Sequence, residues 1–179
     1  MTAFVAWVRG INVGGRAKLS MATLRETAST LQLEHIQTYL QSGNLLFQAA
    51  PGRRRGLSDE LEDALHSTAG LDARVILRTK DELAKVVAGN PFLSGDLPGN
   101  KMHVAFLAGT PKRDRIRSLD PNRSPPDEFE VHGKDIYLSY PRGSGRSKLT
   151  IDYFERSLAL AATARNWNTV TKVLDLMSS

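Results

Sequence analysis

The chain has no cysteine in its 179 residues. That absence excludes disulfide staples, thiolate metal sites and cysteine nucleophiles, and it suits a cytoplasmic protein. Long apolar runs are missing too. Nothing approaches the roughly 20 residues that a membrane span requires, so no membrane partner is expected. The opening "MTAFVAWVRG" has no basic start of the secretory kind. Aromatic residues are few, at 7%, and "NLLFQ" (44–48) and "MHVAFL" (102–107) lack the paired rings on which RNA-recognition sheets stack bases. His35, His66, His103 and His132 show neither i, i+4 pairing nor metal-ligand spacing, so no metal and no cofactor is expected. No G-x-S-x-G elbow is present, and nothing points to a Ser-His-Asp triad. Whether the chain is an enzyme stays open at this level.

Charge of one sign is not in large excess either. The net charge is +5, spread over both halves. It permits an anionic partner without requiring one. The basic runs "RRR" (53–55) and "KRDRIR" (112–117) read as solvated faces. The carboxylates of Asp59, Glu60, Glu62 and Asp63 open a helical stretch, where they complement its dipole.

What is present is punctuation and repetition. "AFVAWV" (3–8) reads as a strand. Met21, Leu24, Ala28 and Leu31 share one helical face. "IQTYLQ" and "NLLFQ" flank Ser42-Gly43 as a hairpin. Leu57, Leu61 and Leu65 line a helix, and "ARVIL" (73–77) is a strand. Thr79 and Glu82 form a capping box for a helix over 80–88. The stretch 91–100, rich in Gly and Pro, is the expected linker between residues 1–90 and residues 101–179. The order then recurs. "MHVAFL" is a strand, and Thr110-Pro111 is the expected cap and first residue of a helix. "EFEVHGKDIYL" (128–138) is a hairpin around Gly133, and Asp152 and Glu155 open a helix. "AATAR" (161–165) is a strand, and Val170, Val173, Leu174 and Met177 mark a last helix. "VAWVRG" echoes "VAFLAG" (104–109), and Arg78-Thr79 echoes Arg165-Asn166. The expected fold is α+β: two tandem ferredoxin-like β-α-β-β-α-β units, each with a trailing helix.

The loops carry the interest. In such a unit the first and second strands run the same way, so "RGINVGGRAK" (9–18) and "QSGN" (41–44) should be neighbours. In the second unit "PRGSGRSKLT" (141–150) and "ARNWN" (164–168) should share one end of their sheet. Gly10, Gly14 and Gly15 suit an anion-binding nest or simply a tight turn. They are not a P-loop, because Arg16 and Ala17 stand where Lys and Ser/Thr are needed, and they are not G-x-G-x-x-G. "GSGRSK" (143–148) suits closure over an anion or a solvated loop. Asn166 suits a helix cap, and Trp167 a seal at the junction.

"RGINVGG", "YLQSGN", "SKLT" and "TARNWNTV", in this order and spacing, resemble the bacterial family called domain of unknown function 1697, from Phe4 to about Leu174. The resemblance implies a tandem ferredoxin-like architecture and brings no activity with it. The expected function is binding of a small ligand bearing phosphate or carboxylate, in a cleft between the halves. The ligand-binding residues would be Arg9, Gly10, Asn12, Gly14, Gly15, Lys18, Ser42, Asn44, Arg146, Ser147, Lys148, Arg165, Asn166 and Asn168. Two other readings stay open: nucleic-acid binding through the basic loops, and a structural or interaction protein without a ligand. The sequence does not specify an oligomeric state.

Overall fold

A computed structural model describes residues 1–15 and 17–179. Its elements run β1 (Thr2–Arg9), α1 (Met21–Ser29), β2 (Glu34–Tyr39), β3 (Asn44–Ala49), α2 (Leu57–Ala69), β4 (Arg74–Thr79) and α3 (Lys80–Ala88). They continue as β5 (Met102–Leu107), α4 (Arg113–Arg117), β6 (Glu128–His132), β7 (Asp135–Ser139), α5 (Ile151–Leu158), β8 (Ala162–Asn166) and α6 (Trp167–Leu176). Two four-stranded sheets form, ordered β2-β3-β1-β4 and β6-β7-β5-β8. All pairs are antiparallel. This is the ferredoxin-like order, made twice in one chain.

The repeat extends to register. Arg78 lies opposite Val5 in the first sheet, and Arg165 lies opposite Val104 in the second. The faint sequence echo therefore marks equivalent positions.

The chain divides into two compact units. The first is Met1–Leu83 with Val173–Ser179, and the second is Ala84–Lys172. Residues 91–100 lie inside the second unit, and the chain passes from one unit to the other within α3 and again within α6. A division by composition alone sees the Gly/Pro cluster and misses helices that begin with one unit and end with the other.

In the first unit Phe4, Ala6 and Val8 of β1 join Leu45, Phe47, Val75 and Leu77 in a core closed by Leu24 of α1 and by Leu57, Leu61 and Leu65 of α2. The opposite face, with Val5, Trp7, Leu46 and Ile76, is buried as well. Burial of both faces is why "AFVAWV" reads as an unbroken apolar run and not an alternating one. In the second unit Ala105, Leu107, Ile136 and Leu138 pack on Phe154 and Leu158 of α5. The far face carries Tyr137, whose hydroxyl donates to the Val86 carbonyl of α3 at 2.8 Å.

Local chemistry explains most boundaries. Ser20 caps α1 by accepting from the Thr23 amide, and Thr150 caps α5 by accepting from that of Tyr153. The capping box is formed: the Thr79 amide donates to the Glu82 carboxylate at 2.9 Å, and the Glu82 amide donates to the Thr79 hydroxyl at 3.2 Å. One expectation is corrected. Thr110 caps nothing. Pro111 is buried, and α4 starts two residues later, with Lys112 in the cap position. Its carbonyl accepts from the amides of Arg115 and Ile116. Helical hydrogen bonding starts only at the Lys112 carbonyl, so Pro111 lies ahead of the helix and not in its first turn.

The basic runs divide in character. Arg53 bonds Glu60 and the Leu31 carbonyl, and Arg54 bonds Glu82. The residues of α4 remain mostly exposed. No helix among the described residues is long and apolar enough to cross a membrane.

Candidate functional site

The loop after β1 and the β2–β3 turn meet, as parallel β1 and β2 require. The Val8 amide donates to the Gly43 carbonyl at 2.9 Å. Asn12 is the joint between them. Its amide nitrogen donates to the carbonyls of Leu19 and Gln41, both at 2.8 Å, and its oxygen accepts from the Leu19 amide at 2.9 Å. With its backbone at φ 54°, Asn12 occupies the left-handed region that asparagine tolerates better than most residues. Its side chain is spent on shaping the loop. Gly43 has φ 79°, and a Cβ there would fall 2.7 Å from Ile11 Cδ1. Only glycine lets the turn sit this close to the strand end.

The three glycines of this loop and Lys18 are exposed. Gly10, Gly14 and Gly15 have positive φ and open space where a side chain would be. Lys18 joins Asn12, Gly15, Ser20 and Gln41 around a shallow cavity of about 440 Å³. Asn44 is buried. It donates to the Tyr39 carbonyl at 2.6 Å and to the Ser42 hydroxyl at 3.1 Å, which is hairpin chemistry. Arg9 is half-buried at the end of β1, opposite Arg74. Arg16 lies outside the described residues.

The second cluster sits at one end of the second sheet. Segment 99–101 runs between its parts. The Tyr140 amide donates to the Lys101 carbonyl at 2.8 Å. A Cβ on Gly99 would fall 2.0 Å from Oδ1 of Asn168, so the Asn168 side chain lies directly against this segment. The loops at 141–150 and 164–168 thus share this end.

Arg165 is interior. Its Nη1 donates to the Thr163 hydroxyl and the Ala164 carbonyl, both at 2.8 Å. Burial pushes its pKa down to about 10, still far above neutrality, so the group is charged. Its counterpart Arg78 is buried in the same way and donates to the Leu77 carbonyl at 2.8 Å. Asn166 caps α6 by accepting from the Thr169 amide at 2.9 Å. Trp167 is buried and Asn168 exposed.

A hub not foreseen from sequence organises the rest. The Ser124 hydroxyl donates to Oδ2 of Asp127 at 3.0 Å and accepts from the Lys148 amide at 3.0 Å. The Ser147 hydroxyl lies 3.4 Å from it and accepts from the Leu149 amide. Arg123 holds the Lys148 carbonyl at 2.9 Å while its guanidinium lies 4.0 Å over the Tyr153 ring. Ser124, Asp127, Arg142, Arg146 and Ser147 line a cavity of about 440 Å³. Arg142 and Arg146 are exposed and meet no carboxylate among the described residues. The sequence signal for this hub is "SPPD" (124–127), two prolines fixing the spacing of a hydroxyl and a carboxylate.

Among the described residues, no three or more His, Asp or Glu side chains gather where a metal ion could be held. Phe47 and Phe106, the rings of the two central-strand stretches, are buried and offer no surface for base stacking.

A family model described as "Protein of unknown function (DUF1697)" matches residues 1–137. Its match ends before "SKLT" and "TARNWNTV". Among solved structures, the chain is similar to the conserved bacterial protein SP0830 from Streptococcus pneumoniae. That likeness has a TM-score of 0.73 at 24% identity and covers 98% of each chain, so it bears on the fold alone. Among curated proteins there is no significant match.

Proposed function

Because the chain belongs to this family of unknown function, DUF1697, membership brings no activity with it, and we propose from the geometry that the protein binds a small anionic ligand at the end of its second sheet. The ligand carries phosphate or carboxylate. The observation that carries this reading is the cavity in which Arg142 and Arg146 meet Ser124 and Ser147. Guanidinium groups are planar forks matched to carboxylate and phosphate oxygens. Two of them without an acidic partner, beside hydroxyl groups on a braced loop, form a site waiting for an anion. Lys148 adds an exposed positive charge next to them. Arg165 and Asn166 contribute from within, by holding the strand end and the helix start that support this surface.

Binding to the native state alone raises stability, by about 2.7 kcal/mol at a ligand concentration 100 times Kd. The test is a thermal-shift panel of phosphates and carboxylates on the wild type and on an Arg142→Ala, Arg146→Ala double variant. The expected result is a rise in Tm with at least one anion, lost in the double variant while its unliganded Tm holds. A panel in which every anion leaves the wild-type Tm unmoved, or moves both proteins alike, overturns the reading.

A further inference from the structure

We infer that the ligand of this cavity is not a bare anion but one that also carries a hydrogen-bond donor, an ammonium or hydroxyl group, read by Asp127. This deepens the anion-binding reading and rests on it. Asp127 is only 7% exposed, yet it lines the same cavity as the two arginines. One of its oxygens accepts from Ser124 at 3.0 Å. No arginine or lysine among the described residues pairs with it.

A carboxylate taken from water is costly unless donors replace its hydration. A single hydroxyl is a small replacement for a group with about four lone-pair sites. Here two arginines line the same cavity, of about 440 Å³, without pairing with it, and that volume is large enough for a metabolite. A simple anion entering that space would satisfy the arginines and face Asp127 with like charge. A ligand with an anionic end and a donor end satisfies both. Ser124 sets the direction: it donates to Asp127 and accepts from the Lys148 amide, so its one proton is already committed. Asp127 is held as an acceptor for something else.

The polarity also gives specificity. A site built to pair a substrate N–H or O–H rejects the analogue lacking it, because the buried acceptor is then left unpaired. The inference therefore predicts discrimination within pairs that differ by one donor.

The experiment measures binding by calorimetry for two matched pairs: glutamate against glutarate, and 2-hydroxypropyl phosphate against propyl phosphate. In the wild type, the donor-bearing member of at least one pair binds roughly tenfold or more tighter than its partner, one decade being about 1.4 kcal/mol. In Asp127→Asn that preference falls, most for the ammonium ligand, while the donor-free anion binds as well or better. Asp127→Ser serves as the second variant, with circular dichroism confirming that both variants are folded. Equal binding within both pairs overturns this inference and leaves the anion site standing. So does a preference that survives in both Asp127 variants. Failure of all four compounds, with a flat thermal-shift panel, overturns the anion site itself and this inference with it.

Discussion

At the scale of single residues, polar side chains in the loops divide into those that build the surface and those that face outward from it. Asn12 builds. Its three hydrogen bonds tie the loop after β1 to the start of α1 and to the β2–β3 turn. Asn12→Ala leaves those backbone groups without their partner and should cost about 1–3 kcal/mol in urea unfolding. An unchanged midpoint would show that water replaces the amide fully. His103 behaves differently. It sits edge-on to the Tyr140 ring, with Nδ1 buried and unpartnered among the described residues. Burial holds its pKa below the ordinary 6.5. The unfolded chain therefore takes up a proton near pH 6.5 while the folded protein does not, and stability falls as pH drops from there towards the folded value. The loss of urea midpoint between about pH 7.5 and about pH 5.5 should be smaller in His103→Gln than in the wild type. Parallel profiles would remove His103 from the acid response.

At the scale of elements, glycine positions separate by what surrounds them. Gly43 and Gly14 both have positive φ, so alanine strains the backbone at either. At Gly43 the added carbon would also strike Ile11 and Val8, whereas at Gly14 it meets nothing. Gly14→Ala should cost about 1 kcal/mol, the usual penalty of a left-handed alanine. Gly43→Ala should cost clearly more, because core side chains must move as well. Equal losses in thermal unfolding would mean that Ile11 yields freely. The capping box of α3 was legible because it needs only two residues three apart. The start of α4 was not, because burial of Pro111 depends on what the ring packs against and not on its neighbours in sequence.

At the scale of the whole molecule, the end of the chain belongs with its beginning. Val173–Ser179 cluster with Met1–Leu83, and Leu176 and Met177 line a cavity of about 330 Å³ with Phe4, Leu46 and Phe47. Deleting residues 173–179 should therefore speed amide exchange in β2 and β3, far away in sequence, before it affects β6 and β7. Uniform exchange across both sheets would argue against this division of stability. The candidate site was half legible in the same sense. Arg146, Ser147 and Lys148 stood out as a cationic loop, whereas Ser124 and Asp127 did not, because their relation to it spans more than a dozen residues of chain.

By itself the sequence determined the element order, the doubled β-α-β-β-α-β pattern and the pairing of loops at the strand ends. Those follow from local periodicity, capping and strand direction, all of which are short-range. Only the tertiary structure decided which polar groups are spent and which are open. Asn12, Asn44, Arg165 and Asn166 are committed to backbone or buried partners, while Arg142 and Arg146 look onto a cavity beside Asp127. Hydrogen-bond satisfaction is a property of groups brought together in space, and side chains that look alike in a loop acquire their roles only when the strands have set their neighbours.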